Sequence, residues 1–114
     1  MGRRQAEYEP QEPRREEVDA LAGATLLEFG SPWCGFCMAA RGPIAAALEP
    51  HPGVRHIRIA DGRGKRLGRS FGVKLWPTLV FLRDGTEVAK LVRPADAASI
   101  GAALARIDGG TARS

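Results

Sequence analysis

Two short apolar runs, a hairpin and two helical stripes organise the pattern along the chain. Ala24 to Gly30, reading ATLLEFG, is apolar at most positions, with a β-branched residue near its start and glycine at its end. That is the pattern of a short buried strand. From Gly35 to Glu49, residues Cys37, Ala40, Ile44 and Leu48 recur at spacings of three and four, which predicts an amphipathic helix. Gly42 and Pro43 are expected to kink it, and Pro50 and Pro52 to prevent its continuation. Val54, Ile57 and Ile59 follow as a strand of imperfect alternation. Further on, LWPTLVFL and TEVAKLV flank Asp84-Gly85, a hairpin signal. A last helix is expected over 94–107, with Ile100, Leu104 and Ile107 as its stripe. Asp96 favours its start, and Gly109-Gly110 its end.

The weaker signals bound the domain. The first 17 residues mix both charge signs with Pro10 and Pro13, so residues 1–13 read as a partly mobile arm. It can offer at most a short edge strand around Ala6 to Glu9. A short helix is expected over 14–21, on Val18, Leu21 and Ala22, with Gly23 as its stop. Asp61 to Phe71 is glycine-rich and basic, with a helical turn expected near 66–71. One domain over 14–108 and a tail at 109–114 complete the reading. A crossover unit followed by a hairpin implies an α/β fold, a mixed β-sheet flanked by helices on both faces.

Composition changes this picture little. Of the 114 residues, 44% are hydrophobic and 26% charged, values of an ordinary folded domain with no low-complexity block. No window approaches the run of about 18 apolar residues that a membrane span needs, and the N-terminus has no apolar leader. A cytoplasmic chain that does not meet a membrane is expected. The net charge of +4 is concentrated, because Arg55, Arg58, Arg63, Lys65, Arg66 and Arg69 are opposed in their stretch by Asp61 alone. Such a face suits an acidic partner protein. Without interleaved aromatics beyond Phe71, nucleic acid is not expected.

The two cysteines, Cys34 and Cys37, stand where the buried strand turns into the first long helix. Cys34 at the helix N-terminus meets unpaired N–H groups and the positive end of the helix dipole, which favour its thiolate and mark it as a nucleophile. Cys37, one turn on and facing inward, is placed to resolve a mixed disulfide formed at Cys34. A static staple is a poor explanation, since so small a loop stabilises little. Cys34, Cys37, His51 and His56 also make C-x2-C-x13-H-x4-H, near a zinc spacing. The prolines on both sides of His51 keep the two histidines off one helix face, so no metal is expected. Glu28, six residues before Cys34, is either a buried proton acceptor for Cys37, with desolvation raising its pKa, or reaches solvent at the strand's end. Trp33 reads as a surface aromatic covering the cysteines.

Trp33-Cys34-Gly35-Phe36-Cys37 and, forty residues on, Trp76-Pro77-Thr78 before LVFLRDG resemble the thioredoxin family in order and spacing. The resemblance covers about residues 18 to 108, and Glu28 stands where the family usually has Asp. It implies the thioredoxin fold and a cis Trp76-Pro77 bond facing the cysteines, with Trp76 offering its backbone to an extended substrate. It further implies dithiol–disulfide exchange on protein disulfides with no cofactor beyond the Cys34-Cys37 pair, recharged by a thioredoxin reductase or another thiol donor. A monomer is expected. Trp33, Gly35, Phe36, Trp76, Pro77 and Arg93 are the expected substrate-contact positions. Four departures crowd the site. Phe36 replaces Pro between the cysteines, Met38 replaces Lys after them, Trp76 replaces Ile, and Arg93 stands where the family has Gly. They suggest a specialised member with its own partners, or a binding module that keeps the fold without the chemistry.

Overall fold

The computed structural model describes residues 7–94 and 96–109, and its elements follow the apolar pattern closely. In chain order they are α1 (Arg15–Asp19), β1 (Ala24–Gly30), α2 (Gly35–Leu48), β2 (Arg55–Ala60), α3 (Leu67–Ser70), β3 (Thr78–Arg83), β4 (Thr86–Val92) and α4 (Ala97–Ile107). The strands form one mixed sheet in the order β2-β1-β3-β4. β1 runs parallel to β2 and antiparallel to β3, and β3 pairs with β4 across the hairpin.

Alternation along the two central strands splits the core into two layers. Leu26, Leu79 and Phe81 face α2 and α4, where they meet Ala40, Ile44, Ile100, Leu104 and Ile107. The next residues along, Leu27, Phe29, Val80 and Leu82, point the other way and pack with Ile59, Val18 of α1, and Leu67 and Phe71 of the α3 segment. Covered on both faces, β1 and β3 must be apolar at nearly every position, which is why they read as runs rather than alternations. Each fully buried Leu, Ile or Phe contributes about 1.5–3 kcal/mol. Strand β4 lies at the edge and is half-exposed.

Helix boundaries follow local chemistry. α2 runs unbroken through Gly42 and Pro43 from an N-cap at Cys34. α4 starts later than residue 94, because the Asp96 carboxylate caps it by accepting the Ser99 N–H at 2.8 Å. That bond also holds the Asp96 carboxyl below its ordinary pKa. α1 ends at Asp19, two residues short of the expected 14–21. At the hairpin, Asp84 and Gly85 adopt φ of 52° and 79°, the left-handed pair that a two-residue turn between twisted strands requires.

The described part of the arm, residues 7–13, is tied to the domain at two points. Tyr8 forms an isolated parallel bridge with Arg58, and the Glu9 N–H donates to the Arg58 carbonyl at 2.8 Å. The Glu12 carboxylate accepts the Leu67 N–H at 2.8 Å. The start of the expected edge strand at Ala6, and the tail beyond Gly109, lie outside the described residues. Among the described residues no helix is long and apolar enough to cross a membrane.

Candidate active site

The buried strand β1 delivers the chain to the sheet's end, and α2 starts there with Cys34 as its N-cap in extended conformation. The Cys34 Sγ accepts the Cys37 N–H at 3.1 Å, so the sulfur takes one of the orphan donors of the helix's first turn. Across the gap lies the loop before β3, whose Trp76-Pro77 peptide is cis. The Trp76 carbonyl oxygen stands 3.9 Å from the Cys34 Sγ. Both cysteines are free thiols.

Cys37 is only 1% exposed and packs against Gly30, the last residue of β1. A Cβ at position 30 would lie 2.7 Å from the Cys37 sulfur and 3.1 Å from the Tyr8 hydroxyl, so only glycine leaves room for both. Burial pushes the Cys37 thiol from 9.0 up to about 12, with contributions from the Cys34 hydrogen bond and from the negative charges of Cys34 and Glu28. The raised pKa favours the folded state only while the thiol keeps its proton. That stabilisation is full below about pH 9 and is lost as pH rises toward 12. Under reducing conditions, the Tm of the wild type is therefore expected to fall more steeply between pH 9 and 11 than that of Cys37→Ser. Parallel curves would contradict it.

Behind Cys37 the structure assembles a buried polar cluster. Glu28 is 1% exposed, which removes the expectation that it reaches solvent. Its Oε1 accepts from His56 Nε2 at 2.8 Å and stands 3.4 Å from Arg58 Nε. Its Oε2 is buried without a hydrogen bond among the described residues. The parallel register sets Glu28 opposite Arg58, and His56 two residues earlier shares that face of the sheet. Tyr8 lies beneath the Arg58 guanidinium, 4.0 Å from ring centroid to Cζ. Burial raises its phenol pKa, with Arg58 opposing and Cys37 and Glu28 adding to the rise.

The remaining expected positions divide into an exposed rim and a held loop. Trp33, 89% exposed, and Phe36, 59% exposed, stand on the surface beside the cysteines. Gly35 opens the helix between them, and Met38 is exposed. Trp76 is half-buried, with its indole N–H donating to Asp61 Oδ2 at 2.9 Å. Pro77 is buried, and its carbonyl accepts the Arg93 N–H at 2.9 Å. The four residues of the zinc-like spacing do not converge. His51 stands against Asp108 at 2.6 Å, and His56 against Glu28. Sequence reasoning missed Tyr8, Asp61 and the charge partners of Glu28. Arg58 and His56 were visible only as members of a basic stretch and of a zinc spacing.

A CxxC pair capping a helix, faced by a cis-proline loop over a mixed sheet, defines a dithiol redox site. The family model for thioredoxin matches residues 8–106, and the chain belongs to the thioredoxin family. Thioredoxin 2 from Pseudomonas aeruginosa PAO1, solved in its reduced form, is 51% identical, with 90% of this chain and 95% of that one covered at a TM-score of 0.81. A Chlamydia muridarum thioredoxin is 32% identical over 76 residues, 66% of this chain and 74% of that protein. Human protein disulfide-isomerase A2 is 38% identical over 89 residues, 73% of this chain, which spans only 17% of that longer protein. Members of the family are thiol–disulfide oxidoreductases that work through their active-site cysteines without a cofactor. They generally interact with disulfide substrates and thioredoxin reductase.

Proposed function

We propose that this protein reduces protein disulfides by dithiol–disulfide exchange, with Cys34 as nucleophile and Cys37 as resolving thiol. The observation that carries the reading is the Cys34 Sγ at the helix N-terminus, accepting the Cys37 N–H at 3.1 Å, with the second sulfur sealed behind it. The Cys34 thiolate attacks one sulfur of the target disulfide, and the other leaves as a thiolate that takes up a proton. Cys37 then loses its proton toward Glu28, the one carboxylate in the buried cluster, and its thiolate attacks the Cys34 sulfur. The second target thiolate leaves, and two electrons have passed to the target at the expense of a Cys34-Cys37 disulfide. A thioredoxin reductase or a thiol such as glutathione restores the dithiol. An extended target lies along the Trp76-Pro77 loop, with Trp33, Gly35 and Phe36 on the opposite rim.

Insulin reduction with dithiothreitol as donor tests the reading. The wild type accelerates precipitation of the insulin B chain, and Cys34→Ser does not. Equal rates would assign the fold a binding role without the chemistry. The Cys34-Cys37 potential, titrated against dithiothreitol, decides the direction. A value near about −270 mV supports a reductase of a reducing, cytoplasmic compartment, and one near about −180 to −120 mV an isomerase or oxidant.

A further inference from the structure

Arg93 closes a contact across the site, between the start of α2 and the cis-proline loop. Its Nε donates to the Trp76 carbonyl oxygen at 2.8 Å, the same oxygen that stands 3.9 Å from the Cys34 Sγ. Its guanidinium lies over the Phe36 ring, 3.9 Å from the centroid, so one exposed side chain spans from the first turn of α2 to the cis-proline loop. The backbone there has φ of 49°, in the left-handed region that disfavours any residue with a side chain. The Arg93 N–H bond to the Pro77 carbonyl holds it in that conformation.

A strand-like target laid along Trp76 directs a backbone N–H at that same carbonyl. Arg93 thus holds one lone pair of the acceptor that the target needs, and its side chain, reaching from Phe36 to Trp76, lies across the target's path and must swing aside when the target docks. The freed guanidinium would stand beside the target chain at the mouth of a cleft of about 200 Å³ lined by Phe36, Ala39, Pro43, Pro77 and Pro94, where only apolar side chains await it. On the other side of Trp76, Arg63, Arg69 and Lys74 line a second cleft of about 370 Å³. The single carboxylate in that lining, Asp61, holds Arg69 and the Trp76 indole on its Oδ2, and its side chain is fully buried. Positive side chains therefore flank the target path on both sides, and among the described residues neither cleft lining offers Arg93 an exposed carboxylate.

We propose that Arg93 is a specificity determinant for acidic targets: a carboxylate flanking the target disulfide draws its guanidinium from the Trp76 carbonyl and frees that oxygen for the target's N–H. This rests on the reading that targets dock along Trp76 and exchange disulfides at Cys34. A peptide without a carboxylate must displace the arginine with nothing to offer in return, and one carrying lysine must bring a like charge beside it.

The test uses two synthetic disulfide peptides that differ only in Glu or Lys at the positions flanking the cysteines. Hydroxyethyl disulfide, uncharged and without backbone N–H groups, normalises each protein. The wild type is expected to reduce the Glu peptide with a kcat/KM about tenfold above the Lys peptide at low ionic strength, a ratio that shrinks with added salt. In Arg93→Gly the ratio falls to about threefold or less, chiefly because the Lys peptide speeds up. Arg93→Lys, which keeps the charge, retains most of the ratio. Equal wild-type rates on the two peptides, or a ratio that Arg93→Gly leaves intact, overturns the assignment to Arg93 while leaving the redox reading standing. Failure of the wild type to reduce insulin, either peptide or hydroxyethyl disulfide overturns both.

Discussion

The Cys37→Ser variant is expected to stop after one half of the reaction. Cys34 keeps its helix cap through the backbone N–H of residue 37, which serine also provides, so attack on a target disulfide persists. No second sulfur remains behind it to release the target, and a mixed disulfide accumulates that runs as a shifted band on a non-reducing gel. Multiple turnover in the insulin assay should fall by about a thousandfold or more, roughly 4 kcal/mol of barrier. Cys34→Ser loses the same turnover without accumulating any adduct. An adduct formed equally well by Cys34→Ser would exchange the roles of the two thiols. The buried position of Cys37 argues against that exchange, because a target disulfide cannot reach a sulfur that is 1% exposed.

The largest effect on stability is expected far from the cysteines, at the hairpin. A Cβ on Gly85 would lie 1.9 Å from the Asp19 carbonyl oxygen and 2.6 Å from its carbon, both backbone atoms that no rotamer change moves aside. Gly85 also has φ of 79°. Gly23 has the same φ of 79° with nothing within 4 Å of an added Cβ, so it separates the conformational cost from the clash. Gly23→Ala should cost about 1 kcal/mol, or roughly 5 °C in Tm. Gly85→Ala should cost about 3–5 kcal/mol, roughly 15 °C or more, as the end of α1 is forced away from the turn. Equal shifts in a thermal melt would show that α1 gives way freely.

What was legible in the sequence was what rests on local pattern. β1, α2, the hairpin and α4 followed from apolar spacing and turn residues, and the place of Cys34 followed from a strand running into a helix. What rests on pairing between distant strands was not. Nothing near Glu28 says whether it is buried, because the answer depends on the parallel register that sets it opposite Arg58 and beside His56. Asp61 and Trp76 meet across a loop whose course no periodicity encodes. Tyr8 belongs to a segment that reads, from its prolines and charges, as a partly mobile arm with at most a short edge strand, and a single bridge to Arg58 places it. The departure at Arg93 was visible against the family pattern. Its grip on Trp76 depends on a left-handed backbone that the residue type argues against.

The seat of Tyr8 gives the arm a say in the chemistry. The phenol and the Cys37 sulfur share the space beside Gly30, so the arm acts as a stopper over the buried thiol. With the stopper in place, water stays out and the proton is held tightly. Lifting it would hydrate the sulfur and draw its pKa back toward that of an ordinary thiol. In the proposed exchange, the tempo of target release is thus tied to how firmly residues 8 and 9 hold the edge of the sheet.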